Sequence, residues 1–172
     1  MKALVFMGSE RVNSSTAALS RAIAGALGAA GLESETVRAG EWEAADPAGL
    51  LDRIGRADAV VLVSPVYHGG YSALLKAVLD RLPGDAFADK PVAVAATGSG
   101  PRTGNVVCDQ LRTVARAMGG WVVPTQAAGC PEDFRLVDGV PTEPSAELAG
   151  RCARIAGELL RLSTAFRTPA GV

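Results

Sequence analysis

Residues 59–63 read Ala-Val-Val-Leu-Val, five apolar residues in succession with no polar alternation. A strand with one wet face alternates; a strand without alternation needs cover on both faces, which is the position of a parallel strand between two layers of helices. Two more runs have this character, Ala3-Leu4-Val5-Phe6-Met7 and residues 91–96. Residues 33–38 predict a shorter strand, and Trp121-Val122-Val123 begins a fifth. Between them lie amphipathic helical stretches. Residues 15–30 carry Leu19, Ile23, Ala26, Leu27 and Ala30 and stop at Gly31; a second helix starts at Pro47 with Leu50, Leu51 and Ile54 inward, after a polar, acidic connection holding Trp42. Residues 72–82 predict a third helix, ended by Pro83-Gly84. A fourth, for which Asn105 is the expected cap, carries Val107, Leu111, Val114 and Met118. The last uses Leu148, Cys152, Ile155, Leu159 and Leu162. Strands alternating with helices predict an α/β fold with a five-stranded parallel sheet. The long polar connection over 129–145 has Asp138-Gly139 between apolar flanks, a hairpin signal, and leaves open a lid or an interface element. The expected organisation is one domain over 1–163 and a mobile tail over 164–172.

The totals exclude several classes. With 172 residues and a net charge of -1, the chain has no nucleic-acid footprint. No apolar run is long enough to span a membrane, and the N-terminus lacks a signal-peptide pattern, so the cytoplasm is the expected compartment. Cys108, Cys130 and Cys152 are far apart and form no CxxC, and His68 is the single histidine, so neither a disulfide framework nor a metal site is expected. Cys152, on the helical stripe, reads as a packing residue, and Lys76 with Asp80 as a surface pair one helical turn apart.

Three of the strands run into loops rich in glycine and hydroxyls. Loop 1 is Gly8-Ser9-Glu10-Arg11-Val12-Asn13-Ser14-Ser15-Thr16, between a strand and a helix. A helix start has unpaired N–H groups and partial positive charge. With the hydroxyls of Ser9, Ser14, Ser15 and Thr16 and the Arg11 guanidinium, loop 1 suits a phosphate; Ser14 to Thr16 equally suit an ordinary helix cap. It is neither GxGxxG nor a P-loop. Loop 2, Ser64-Pro65-Val66-Tyr67-His68-Gly69-Gly70-Tyr71, reads as irregular, and Tyr67, Tyr71 and His68 are its candidate ligand contacts, or else rim residues. Loop 3, Thr97-Gly98-Ser99-Gly100-Pro101-Arg102-Thr103-Gly104, offers backbone N–H groups that can lie against a planar ring. Right-handed crossovers leave two common doubly wound strand orders. In one of them, 2-1-3-4-5, the loops after strands 1, 3 and 4 meet at the switch point where ligands bind. A phosphate pocket beside a flat, polar-edged slot fits a mononucleotide, FMN in particular.

The texts Gly8-Ser9-x-Arg11 with the following Ser and Thr, Ser64-Pro65-Val66-Tyr67, Tyr71-Ser72-Ala73-x-Leu75-Lys76-x-x-x-Asp80 and Ala96-Thr97-Gly98 extend the reading. The chain resembles the NAD(P)H-dependent FMN reductases of the flavodoxin-like superfamily. It is most similar to those that supply reduced FMN to two-component monooxygenases of the alkanesulfonate type. The resemblance implies a flavodoxin-like three-layer sandwich with strand order 2-1-3-4-5. It implies that Ser9, Arg11, Ser14, Ser15 and Thr16 surround the FMN phosphate, that Pro65, Val66, Tyr67 and His68 flank the ribityl chain and ring, and that Thr97, Gly98, Ser99 and Gly100 meet the pyrimidine edge. It also implies a homodimer or homotetramer with the 72–82 helix near the interface, and NAD(P)H as co-substrate arriving over the exposed flavin face. Gly70, where relatives often carry a bulkier residue, and Pro101-Arg102 depart from the pattern and bear on the second substrate.

The expected function is therefore hydride transfer from NADH or NADPH to FMN, with no side-chain acid or base. A partner monooxygenase would receive the reduced flavin. Arg102 and Arg135 are candidate contacts for the nicotinamide nucleotide's phosphates. The alternatives are an FMN-bound reductase of quinones, azo compounds or metal oxyanions, and an electron carrier with Tyr67, Tyr71 and Trp121 as ring contacts. The near-neutral charge argues against the carrier.

Overall fold

The computed structural model describes residues 1–38, 40–41, 46–100 and 102–167; Trp42, Pro101 and residues 168–172 lie outside them. The chain order is β1 (Lys2–Met7), α1 (Ser15–Ala29), β2 (Glu33–Arg38), α2 (Pro47–Arg56), β3 (Ala59–Tyr67), β4 (Gly70–Tyr71), α3 (Ala73–Leu79), β5 (Pro91–Thr97), α4 (Thr103–Ala117), β6 (Trp121–Val122), β7 (Ala127–Gly129), β8 (Phe134–Val137), β9 (Val140–Pro144) and α5 (Ala146–Arg167). The main sheet runs β2-β1-β3-β5-β6, with β7 also paired to β5; all of these pairs are parallel. That is the expected order 2-1-3-4-5, with the fifth strand in two pieces.

The unalternating runs are buried on both faces, as their composition requires. Leu4, Phe6, Val60, Leu62, Val92 and Val94 pack with Leu50, Ile54, Leu75, Val78, Val107 and Leu111 from α2, α3 and α4. The residues between them, Ala3, Val5, Ala59, Val61, Ala93 and Ala95, pack with Leu19, Ile23, Leu27, Cys152, Ile155 and Leu159 from α1 and α5. The second face is built from smaller strand side chains, so α1 and α5 seat close against the sheet. The edge strand β2 keeps only Val37 fully buried and carries charge at Glu33, Glu35 and Arg38, with Ser34 and Thr36 between them.

The fifth strand breaks where Pro124 has no N–H to donate. Val123 N–H still donates to Val92 O (2.9 Å), but the next donor, Thr125 N–H, turns to the Glu158 carboxylate on α5 (2.9 Å), which also accepts from the Thr125 hydroxyl (2.6 Å). Asp138 and Gly139 form the expected two-residue turn between β8 and β9, with φ of 51° and 74°.

Four expectations need correction. Residues 64–67 are not loop: Pro65 pairs with Thr97, Val66 with Tyr71 and Tyr67 with Gly70. The turn is His68-Gly69, with φ of 51° and 78°, the left-handed pair that a tight hairpin needs. The third helix stops at Leu79 rather than at 82. Asn105 lies inside α4, and the N-cap position is Arg102, which makes no side-chain cap bond. Finally, α5 continues through Arg167 instead of yielding to a tail at 164. Phe166 packs edge-on against Trp121 (5.7 Å between ring centres), and Arg167 Nε donates to Asp58 Oδ1 (2.6 Å).

Asp58 thereby joins the start of β1, the start of β3 and the end of α5, because the Lys2 N–H donates to its other oxygen (2.8 Å). Burial works against its charge, but the Lys2 N–H and the Arg167 guanidinium outweigh that and hold its carboxyl below the ordinary 3.8. A lowered folded value means the contribution is complete above 3.8 and drains away as pH falls through the folded value. Asp58→Asn is expected to cost about 1–3 kcal/mol at neutral pH by urea unfolding, the cost of losing hydrogen bonds to a charged group. The gap to wild type should close as the solution is acidified.

Candidate functional site

The C-terminal ends of β1, β3 and β5 open into a cleft of about 340 Å³. It is lined by Ser9, Arg11, Asn13, Ser14, Ser15 and Thr16 from loop 1, by Pro65, Val66 and Tyr67 at the end of β3, and by Thr97 and Gly98 after β5; Gly139 and Pro141 of the β8–β9 hairpin complete it. All the expected site residues but three are brought together here. His68 sits at the exposed hairpin turn, and Ser99 and Gly100 lie beyond the lining.

Loop 1 is shaped by its own bonds. Gly8 N–H donates to Val63 O (2.7 Å), which draws the end of β1 against β3. A Cβ on Gly8 would stand 2.7 Å from Ser72 Oγ and 2.9 Å from Leu75 Cβ, so glycine is required there by the approach of α3. Arg11 N–H donates to Ser9 Oγ (3.3 Å), and the Ser14 hydroxyl donates to Arg11 O (2.7 Å) while accepting from Ala17 N–H (3.2 Å). Ser14 is thus the N-cap of α1, and the N–H groups of Ser15 and Thr16 open the helix with no intrahelical acceptor. Arg11 is exposed, Ser14 and Ser15 are half-buried, and Ser9 and Thr16 are buried. Among the described residues, no carboxylate lines the cleft.

Loop 1 is tied to loop 3 by side chains: Thr16 Oγ1 and Thr97 Oγ1 share a buried hydrogen bond of 2.6 Å, joining the start of α1 to the end of β5. Loop 3 then leaves the sheet. Gly98 N–H donates to Gly129 O (2.9 Å) and Gly100 N–H points to Thr103 Oγ1 (3.4 Å), so both are engaged within the fold. Among the described residues, the N–H of Ser99 is the loop's unengaged donor between them. Gly98 has no room for a Cβ, which would collide with the Thr103 side chain.

Loop 2 is stapled from below. Ser64 Oγ, wholly buried, donates to Pro65 O (2.8 Å) and accepts from Ser72 N–H (2.9 Å), and Ser72 Oγ caps α3 through Leu75 N–H (3.1 Å). Gln110 Nε2 holds the turn by donating to Gly69 O (3.0 Å). Tyr67 stands half-exposed at the rim, while Tyr71 packs against the core and does not line the cleft. Trp121 begins β6 beside Pro91, at the opposite end of the sheet from Thr97. Arg102 is exposed at the start of α4, and Arg135 bonds to Glu143 across the hairpin (3.3 Å). A Cβ on Gly70 would meet Tyr67 O and Gln110 Oε1 at ordinary contact distance (3.7 and 4.0 Å), so packing does not require glycine there, and Gly70 does not line the cleft.

Sequence reading missed Asn13, Gly139 and Pro141 as lining residues. The Asp138-Gly139 turn announced the hairpin, but nothing local places its tip over loop 1. The thiols are out of play. Burial pushes Cys108 up to about 12 and Cys152 to about 11, and burial with the Glu132 and Asp133 carboxylates pushes Cys130 to about 11. No group of three or more metal-ligating side chains occurs among the described residues, and no helix among them is long and apolar enough to cross a membrane.

Residues 1–134 match the family described as NADPH-dependent FMN reductase. An FMN-dependent NADPH-azoreductase of Staphylococcus aureus is 33% identical over 150 residues, covering 78% of this chain and 79% of its own. The chain belongs to the NADPH-dependent FMN reductase family. The reductase is an NAD(P)H:FMN oxidoreductase with FMN as its flavin. Its fold is flavodoxin-like. An oxidoreductase from Corynebacterium diphtheriae superposes with a TM-score of 0.78 at 28% identity, covering 95% of this chain and 97% of that one. An NADH:FMN oxidoreductase in its apo form superposes at 0.76 with 23% identity, over 98% and 92%.

The hydroxyl pair Thr16–Thr97 is testable on its own. Thr16→Val or Thr97→Val leaves a buried hydroxyl unpaired and should cost about 1–3 kcal/mol, whereas the double variant should cost less than the sum. Urea unfolding of the three variants measures the coupling, expected at about 1 kcal/mol.

Proposed function

We propose that FMN sits in this cleft with its phosphate on loop 1 and its ring between the end of β3 and loop 3, and that a nicotinamide nucleotide reduces it there. The observation that carries the reading is the donor set at one end of the cleft: the hydroxyls of Ser9, Ser15 and Thr16, the Arg11 guanidinium and the start of a 15-residue helix capped by Ser14, with no carboxylate in the lining among the described residues to repel an anion. When bound, FMN accepts a hydride from the nicotinamide ring and passes electrons to an acceptor.

The chain's residues bind, orient and shield. Ser9, Ser15 and Thr16 offer hydroxyls to the phosphate, Ser14, whose proton goes to Arg11 O, holds loop 1 around it, and Arg11 supplies its countercharge from the solvent side. Pro65, Val66 and Tyr67 form the wall beside the ribityl chain and ring, with His68 at the turn above them. Thr97, Gly98, Ser99 and Gly100 shape the pyrimidine edge, and the Ser99 N–H is the donor available to negative charge growing there. Tyr67, exposed at the rim, supports an open side over the ring for NADH or NADPH. Arg102 is a contact for the nucleotide's phosphates; Arg135, paired and off the lining, is a weaker candidate.

Release of reduced FMN to a partner monooxygenase belongs to this reading, as do a homodimer or homotetramer built through α3 and a cytoplasmic location. A second reading, in which FMN stays bound and an azo compound or quinone is the acceptor, is favoured by the azoreductase relative. Steady-state rates with free FMN against menadione and an azo dye distinguish them: saturation by free FMN supports release, and turnover of dye at one bound flavin per chain supports the second.

Arg11→Ala is expected to weaken FMN about tenfold, the worth of a charge-assisted bond, and to leave riboflavin binding within about twofold because riboflavin has no phosphate. Flavin fluorescence titration measures both. An unchanged FMN affinity would remove the phosphate assignment.

A further inference from the structure

The β8–β9 hairpin reaches the cleft from a part of the chain beyond the parallel core, and one side chain pins it there. Arg21, on α1, donates from one guanidinium nitrogen to Val12 O of loop 1 (3.3 Å) and from another to Pro141 O of β9 (3.0 Å). Gly139 and Pro141 line the cleft, and the Arg21 bonds set β9 beside loop 1 and α1, which carry the phosphate under the reading above. Arg21 itself lines a second groove of about 260 Å³, together with Met7, Val12, Ala24, Thr36 and Arg38 among others. Arg38 there is paired with Glu41 (2.9 Å).

We propose that Arg21 and the hairpin tip form an end wall at the phosphate pole that makes the site selective for a flavin carrying a terminal phosphate over one whose phosphate is esterified, as in FAD. The inference rests on FMN occupying the cleft. Both acceptors of the strap are main-chain carbonyls, so a planar fork of N–H donors on one long side chain is what bridges loop 1 to the hairpin. A phosphate monoester ends inside the wall. A phosphate diester must continue past it, and the chain that continues would meet the ring of Pro141 or the Val12 backbone. Arg21 acts through these two segments, so it is a positioning residue. Its effect is a difference between ligands rather than a uniform loss.

Ligand selectivity separates this role from simple stabilisation. Wild type, Arg21→Ala, Arg21→Lys and Pro141→Gly would be titrated with riboflavin, FMN and FAD by fluorescence quenching, each variant first checked for wild-type circular dichroism. The expected result for Arg21→Ala is a ratio of FAD to FMN dissociation constants lower than wild type by about fivefold, in line with loss of a hydrogen-bonded strap. Riboflavin should stay within about twofold. Pro141→Gly should move the ratio in the same direction with Arg21 intact, and it answers the question if Arg21→Ala does not fold. Arg21→Lys, which lacks the fork, should fall between wild type and Arg21→Ala. A ratio unchanged in both Arg21→Ala and Pro141→Gly, or riboflavin and FMN weakened by the same factor, would overturn the wall. If Arg11→Ala weakens FMN while these ratios hold at the wild-type value, the wall alone fails. If Arg11→Ala has no effect on FMN, the cleft assignment beneath it fails.

Discussion

The parallel register of β1, β3 and β5 is the constraint on which the rest depends. Met7 lies beside Val63 and Val63 beside Ala95, while Pro65 pairs with Thr97 two residues further on, so the three strands end within a few residues of one another at the same end of the sheet. Each strand is apolar on both faces until that level and polar beyond it. Burial on both faces requires helices above and below, and because the strands are parallel each crossover helix starts at the same end of the sheet. The hydroxyl-rich start of α1 and the glycine loop after β5 then meet as ordinary strand endings. The Thr16–Thr97 hydrogen bond fixes their spacing directly, across 81 positions of sequence.

Much of this was legible in the chain. The unalternating runs determined the layer count and the parallel sheet, and the Asp138-Gly139 turn announced the hairpin. The same turn chemistry was present in His68-Gly69 and was overlooked, because Pro65 and two glycines read as loop. Pro65 is tolerated in β3 because the sheet ends there, and its neighbours pair antiparallel with Gly70 and Tyr71. Asn105 looked like a cap by residue type, yet the helix begins where Thr103 Oγ1 can engage Gly100, donating to its carbonyl at 2.8 Å. Local preference yields there to the path of the glycine loop.

What was not legible is tertiary. Asn13, Gly139 and Pro141 line the cleft because a hairpin made of residues 134–144 folds back over α1, and no local pattern encodes that reach. The aromatic inventory misled in the same way. Tyr71 is drawn into the core by its pairing with Val66, and Trp121 starts its strand at the far end of the sheet, beside Phe166. Tyr67 is left as the lining aromatic among the described residues. A cleft with one rim tyrosine leaves a ring more accessible than a pair of large stacking side chains would, which suits an enzyme whose donor and acceptor must each reach the flavin.

The central claim is that this cleft holds FMN where a nicotinamide nucleotide can reduce it. The most direct measurement is anaerobic stopped-flow absorbance of the oxidised flavin band after mixing protein and FMN with NADPH, and separately with NADH. The account predicts rapid bleaching that requires the protein and is slowed at limiting FMN by Arg11→Ala. Flavin that binds and is bleached by neither nucleotide would contradict it.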